Sequence, residues 1–137
     1  MKPINITRGP ETFQLLESLG RPAIGFFIKD VCVVGASIDD ATLEKLVWFF
    51  SQHEKDERPY VEFLDQYGHL VRISKGGSMW KETDTPVCIL LEVVSVYGNV
   101  LANEWRAIHP FPRIKWEMEF RLQEWDNILS FLKIYQR

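Results

Sequence analysis

The side chains best suited to catalysis in this sequence are two cysteines and three histidines, and they are widely spaced. Cys32 and Cys88 lie inside the apolar runs VCVVGA and PVCILLEVV, whereas His53, His69 and His109 are scattered along the chain. A thiolate needs a nearby base or cation to lower its pKa, and burial among apolar side chains raises it. The pattern therefore favours buried structural cysteines, with no catalytic thiol and no metal site. We expect His69 to be a solvated hairpin residue.

Sequence motifs of familiar catalytic and phosphate-binding sites are missing. The chain has no GxxxxGK[ST], GxGxxG, HExxH, CxxC or GxSxG. Gly76-Gly77 could bring backbone N–H groups to an anion, but no Walker-type Lys and Ser/Thr pair follows. Glu117 and Glu119 would lie about 7 Å apart on one strand face, near the separation of paired hydrolase carboxylates, although alternating charges usually mark a solvent-facing surface. We predict no catalytic residue and no cofactor, and we keep an enzyme without a recognisable motif as a less favoured alternative.

Composition indicates one globular domain over residues 1–137. The chain is 46% hydrophobic and 26% charged, close to the average for globular proteins. Its net charge is −3, and Lys and Arg never cluster without acidic neighbours, so we predict no binding to nucleic acid. The N-terminus has no apolar leader and no run of about 18 apolar residues occurs, so we expect a cytoplasmic protein without a membrane partner.

The segment 113–123 has the clearest periodicity in the chain. Apolar residues occupy every second position (Ile114, Trp116, Met118, Phe120, Leu122), and polar residues lie between them (Arg113, Lys115, Glu117, Glu119, Arg121, Gln123). This alternation predicts a strand with one face in the core and the other toward water or a partner. Pairing with a strand over 100–108 would add Glu104 and Arg106 to the polar face. Glu104 would then oppose Glu117 or Glu119 unfavourably.

Three helices and several further strands are predicted from spacing and turn residues. Helices are expected over 10–19, with Leu15, Leu16 and Leu19 between Pro10 and Gly20; over 41–53, capped by Asp39 or Asp40; and over 125–135. Hairpins are expected over 24–38, turning at Lys29-Asp30, and over 59–74, turning at 65–68. Further strands are expected at the N-terminus around Ile4 and Ile6, over 87–96 and over 100–108, with an irregular loop over 74–86 and a proline corner over 109–112.

These elements predict an α+β fold with the order α-β-β-α-β-β-β-β-β-α. Strands follow strands without crossover helices, so we expect a single antiparallel sheet of about six or seven strands with about three helices packed on it. In element order the chain resembles profilin-like and Roadblock-type domains. That resemblance implies a partner-binding module.

The predicted function is non-enzymatic binding of another protein. The expected contact residues are Met79 and Trp80 in the irregular loop, and Glu104, Arg106, Lys115, Glu117, Glu119 and Arg121 on the polar face. Small acidic chains without catalytic motifs are typical of toxin-neutralising immunity proteins and of phage-encoded inhibitors of host defence, so an inhibitor is the first expectation. The alternative is a homodimeric or larger homo-oligomeric scaffold or regulatory subunit, suggested by five Trp and nine Phe and by a hairpin over 24–38 that is apolar on both faces.

Overall fold

A computed structural model describes residues 2–51, 60–75, 87–95 and 115–136. Within these ranges the chain forms eight strands and two helices. They are β1 Ile4–Arg8, β2 Glu11–Ser18, β3 Arg21–Ile28, β4 Val31–Ser37, α1 Asp40–Ser51, β5 Tyr60–Leu64, β6 Leu70–Lys75, β7 Val87–Ser95, β8 Lys115–Phe120 and α2 Leu122–Ile134. The predicted α+β class is confirmed.

The strands form two sheets, so the prediction of a single sheet with three helices is wrong for the described part of the chain. Sheet A has the order β1-β2-β3-β4 and sheet B the order β5-β6-β7-β8, with antiparallel neighbours throughout. Each sheet is followed by one helix. The sheets contact each other through their apolar faces, since Phe13 lies 5.2 Å from Phe120 and Phe26 lies 5.5 Å from Trp116 between ring centroids. Each sheet thus covers the other, a role that the prediction gave to helices.

The helix predicted over 10–19 is strand β2. Phe13 and Leu15 are 2% and 1% exposed, and they alternate with more exposed positions as strand residues do. Gly9 has a φ of 59° in the turn before the strand, and Gly20 has a φ of 78° in the turn after it. These turns join neighbouring antiparallel strands, where a positive φ is common. Leu19 is fully exposed at the second turn instead of continuing an apolar helix face.

The remaining hairpins and the second helix match their predictions. Strands β3 and β4 turn at Lys29 and Asp30, whose φ angles of 47° and 68° suit a type I′ turn. The predicted hairpin over 59–74 is present as β5 and β6. Helix α1 is capped by Asp39, whose Oδ1 accepts the backbone N–H of Thr42 at 2.7 Å. Its predicted end at His53 lies outside the described residues.

Strand β8 confirms the alternation in 113–123 over a shorter length. Trp116, Met118 and Phe120 are buried, and Lys115, Glu117 and Glu119 are exposed. The strand ends at Phe120 because the backbone N–H of Arg121 already donates to Glu124 Oε1 at 2.9 Å, which begins α2. Strand β7 pairs directly with β8, so the meander predicted through 100–108 does not separate them; that segment lies outside the described residues.

Strand β4 is buried on both faces because the turn between β5 and β6 packs against it. Val33, Val34, Gly35 and Ala36 are all buried. The backbone N–H of Gln66 in that turn donates to the carbonyl of Gly35 at 2.6 Å. A Cβ on Gly35 would lie 3.0 Å from Gln66 Nε2, so a larger residue there would have to displace the Gln66 side chain by a few tenths of an ångström. The middle of β4 is thus covered within the chain, whereas Phe27 and Cys32 at the turn end of the hairpin are only partly buried.

Candidate functional site

The outer face of sheet B is the surface turned away from sheet A. It carries Tyr60, Glu62 and Leu64 from β5, Arg72 from β6, Glu92 from β7, and Lys115, Glu117 and Glu119 from β8. These positions alternate with the buried ones along each strand, so they face solvent together. Four of them are aligned in register across the sheet, Glu62 with Arg72, Arg72 with Glu92, and Glu92 with Lys115. We call these four residues the charge row.

Ion pairs link each member of the charge row to its neighbour. Arg72 Nη2 lies 2.9 Å from Glu62 Oε1, and Arg72 Nη1 lies 3.6 Å from Glu92 Oε1. Lys115 Nζ lies 4.0 Å from Glu92 Oε2. The guanidinium carbon of Arg72 also lies 5.0 Å from the ring centroid of Tyr60, a cation–π contact. The shorter contacts, with Glu62 and with Tyr60, restrain the Arg72 side chain, which lowers the entropy lost when a partner binds.

The charges and apolar groups are unevenly distributed over the outer face of sheet B. The charge row sums to zero, whereas Glu117 and Glu119 on β8 are exposed and make no ion pair with any described residue. Tyr60 and Leu64 on β5, at the opposite edge, are 55% and 54% exposed. The face therefore has an apolar edge, a neutral ordered centre and an acidic edge.

The structure brings together part of the predicted contact set. Lys115, Glu117 and Glu119 share the outer face of sheet B as expected. Arg121 does not lie on the strand, because it precedes the first turn of α2. The other predicted contact residues, Met79, Trp80, Glu104 and Arg106, lie outside the described residues.

Five residues of the outer face of sheet B were missed by the sequence analysis. They are Tyr60, Glu62, Leu64, Arg72 and Glu92. The alternation in YVEFL and LVRIS was a usable signal for the face that β5 and β6 present to solvent. Sequence alone does not show which residues of neighbouring strands lie opposite one another.

The turn between β5 and β6 holds a second group of ionisable side chains. His69 is 1% exposed and Asp65 is 7% exposed, so the prediction of a solvated His69 is wrong. Asp65 Oδ1 accepts the backbone N–H groups of Tyr67 and His69, each at 2.9 Å, which folds the turn around the carboxylate. Asp65 Oδ2 is buried and accepts no hydrogen bond from the residues the structure describes. Burial lowers the pKa of His69 and raises that of Asp65.

Cys32 lies beside this turn as a free thiol and is only partly buried, whereas the sequence predicted a buried cysteine. Its Sγ donates to the carbonyl of Val34 at 3.4 Å. Burial raises the pKa of the Cys32 thiol, although a hydrogen bond with Tyr67 opposes part of the effect. A raised pKa keeps the sulfur protonated and weakly nucleophilic at neutral pH. The described residues contain no group of three or more side chains suited to a metal ion.

We expect His69 to make folding sensitive to mild acid. Its folded pKa is below the unfolded value of about 6.5, so the unfolded chain binds a proton first as the pH falls. Wild-type stability should therefore decrease from about pH 7.5 to about pH 5.5 relative to a His69→Gln variant. Urea denaturation of both proteins at each pH measures this difference. The other two histidines and Asp65 are present in both proteins, and parallel curves would contradict the prediction.

A separate cleft lies where the start of α1 meets the end of α2. It has a volume of about 310 Å³ and is lined by Asp40, Leu43, Glu44, Tyr135 and Gln136. Asp40 is already engaged by Arg21 at 2.9 Å. Among the residues that the structure describes, neither an imidazole nor a thiol lines the cleft, so these residues supply no nucleophile or base suited to neutral pH.

In the ranges that the structure describes, no helix is both long and apolar enough to cross a membrane. Comparison of the chain with protein-family models, with curated proteins and with solved structures gives no match.

Proposed function

We propose that this protein is a non-enzymatic protein-binding module and that the outer face of sheet B is its contact surface. The observation that carries the proposal is the combination of exposed apolar groups with a row of ion-paired charges on one face of a sheet. Tyr60 and Leu64 are both more than half exposed, and Tyr60 adjoins the ordered guanidinium of Arg72. Tyrosine and arginine are enriched among the residues that contribute most to protein interfaces.

The enzyme alternative has less support from the side chains that could react. His69 and Asp65 are buried in a tight turn, and the Cys32 thiol has a raised pKa. None of the three lies on the outer face of sheet B or lines the cleft between the helices. None of the three is therefore both accessible and activated as a nucleophile or base.

The two more specific predictions differ in their support. The turn containing Gln66 contacts the second face of the β3–β4 hairpin at Gly35, so that part of the hairpin is not open to another copy, and the homo-oligomer alternative stays a prediction. The prediction of an inhibitor stays a prediction, since nothing on the outer face of sheet B identifies a protein to be inhibited.

Site-specific photo-crosslinking in cells tests the proposed surface. A photoreactive amino acid at Tyr60 or Glu117 should give covalent protein adducts, which mass spectrometry identifies. The same amino acid at Lys45 or Asp126, exposed on α1 and α2, should give few adducts and serves as the matched control. Arg72→Ala should reduce the adducts at Tyr60, because it removes the ordered guanidinium. Equal crosslinking from the helices, or none from the sheet, would overturn the proposal.

A further inference from the structure

The charge row is complementary to itself when it is reversed. From β5 to β8 it carries a negative, a positive, a negative and a positive charge, at Glu62, Arg72, Glu92 and Lys115. Reversal gives positive, negative, positive, negative. Two copies of sheet B stacked face to face about a two-fold axis parallel to the strands would therefore match opposite charges at all four positions. Such an isologous contact is the commonest way in which identical chains associate.

We propose that the outer face of sheet B binds the same face of a second copy of this chain. This inference rests on the proposed function and names the partner of that surface. In the dimer, Glu62 faces Lys115 of the second copy, and Arg72 faces Glu92 of the second copy. The opposite charges steer the two faces together and set their register.

The charge row also selects one orientation of the two copies. A two-fold axis perpendicular to the strands would place each charge opposite the same residue of the second copy, so that like charges repel. Only the axis parallel to the strands gives attraction at every position. The geometry therefore points to one arrangement of the dimer.

In the same dimer, the row of residues next to the charge row gives the Glu117 carboxylate a hydrogen-bond donor, Tyr60 of the second copy. Tyr60 pairs with Ser74, Ser74 with Leu90, and Leu90 with Glu117, so Tyr60 and Glu117 occupy the two ends of one row across the sheet. Reversal places the Tyr60 hydroxyl opposite Glu117 of the second copy, where it can donate a hydrogen bond. Glu117 makes no ion pair with the described residues of its own chain.

The described face supports a weak and reversible dimer. Four strands spaced about 4.8 Å apart, with about five residues of about 3.3 Å each, cover a small patch compared with the roughly 800 Å² that each partner buries in a standard interface. Charge pairs supply much of the attraction, so association should weaken as salt rises and the Debye length shortens.

Two single charge reversals and their mixture test the arrangement by sedimentation equilibrium at low salt. Glu62→Lys places the new lysine opposite Lys115 of the second copy, and Lys115→Glu places the new glutamate opposite Glu62 of the second copy. A dimer of two copies of the same variant thus has like charges at two of the four positions. Its dissociation constant should rise about tenfold or more relative to the wild type. In an equimolar mixture, a dimer that contains one copy of each variant again has opposite charges at all four positions. The mixture should therefore associate like the wild type, and high salt should abolish the recovery.

Two control variants make the same changes in net charge at positions that lie outside the proposed interface. Asp126→Lys and Lys133→Glu change the net charge by the same amounts at exposed positions of α2, so the dimer should be unaffected. Circular dichroism melts confirm that every variant is folded. A dimer that the sheet variants leave intact, or a mixture that does not recover, would overturn the inference.

Sedimentation and crosslinking together distinguish a failure of the homodimer from a failure of the proposed binding surface. A wild-type chain that stays monomeric at its highest soluble concentration, but crosslinks to a different protein through Tyr60, would overturn the homodimer and leave the binding surface standing. A monomer with no adducts at Tyr60 or Glu117 would overturn both.

Discussion

Replacing Trp125 with alanine should lower the free energy of unfolding by about 3–5 kcal/mol. The side chain is fully buried at the contact between α1 and α2. Its ring centroid lies 4.8 Å from that of Phe50 and 5.8 Å from that of Phe49. Its indole N–H donates to the carbonyl of Phe50 at 2.7 Å. Truncation would therefore leave a cavity between the helices and an unpaired carbonyl at the end of α1.

A Trp125→Phe variant separates the hydrogen bond from the packing. It keeps an aromatic ring in the cluster but leaves the Phe50 carbonyl without its donor, which should cost about 1–3 kcal/mol. Guanidinium denaturation at fixed pH measures both variants, and Trp48→Ala is the control because Trp48 is 46% exposed on the outer side of α1. That control should change stability by less than about 1 kcal/mol. If Trp125→Ala behaved like the control, the helix contact would not stabilise the fold as described.

The helices show which part of the fold the sequence could predict. Asp39 and the spacing of Leu43, Leu46, Val47 and Phe50 predicted α1, because capping and the 3.6-residue period are local properties. The partner of Trp125 was not predictable in this way. Trp125 contacts a carbonyl that lies 75 residues earlier in the chain, and no local rule relates the two.

Strand β2 shows how a local signal can be ambiguous. Glycine in a left-handed conformation ends helices and also forms tight hairpin turns, so Gly20 was compatible with either. Leu15, Leu16 and Leu19 fit a helical stripe, but Phe13 and Leu15 fit strand alternation equally well, and pairing with β1 and β3 decided between them. Tertiary pairing overrode the local spacing here.

The outer face of sheet B was only half predictable because it depends on register. The expected turn over 65–68 is centred half a residue before the observed pairing of Leu64 with Leu70. Such a small shift changes which residues of β5 and β6 lie opposite each other, which the alternation within each strand does not determine. Glu92 and Lys115 lie 23 positions apart in the sequence, and their alignment follows from the folded sheet alone.

Replacing Trp116 with aspartate should destabilise the protein by about 4 kcal/mol or more, because it places a carboxylate without a cationic partner between the two sheets. Trp116 is 2% exposed and its ring lies 5.5 Å from that of Phe26 on sheet A. Lys115→Glu, one residue away on the opposite face, should change stability by less than about 0.5 kcal/mol, since its ion pair with Glu92 is long and exposed. Urea denaturation at a protein concentration too low for dimerisation compares the two. Equal loss in both variants would mean that the inward and outward faces of β8 are wrongly assigned.

Substituting phenylalanine for each buried tryptophan should show that they contribute differently to stability. The indole N–H of Trp116 is buried and makes no hydrogen bond to the described residues, whereas that of Trp125 bonds to the Phe50 carbonyl. Removing an unpaired buried donor relieves a desolvation cost, while removing a paired one creates it. Trp116→Phe should therefore lower the free energy of unfolding less than Trp125→Phe does, although both substitutions remove a similar volume from a buried aromatic side chain. The reverse order in denaturation experiments would contradict the assigned hydrogen bonding of the two tryptophans.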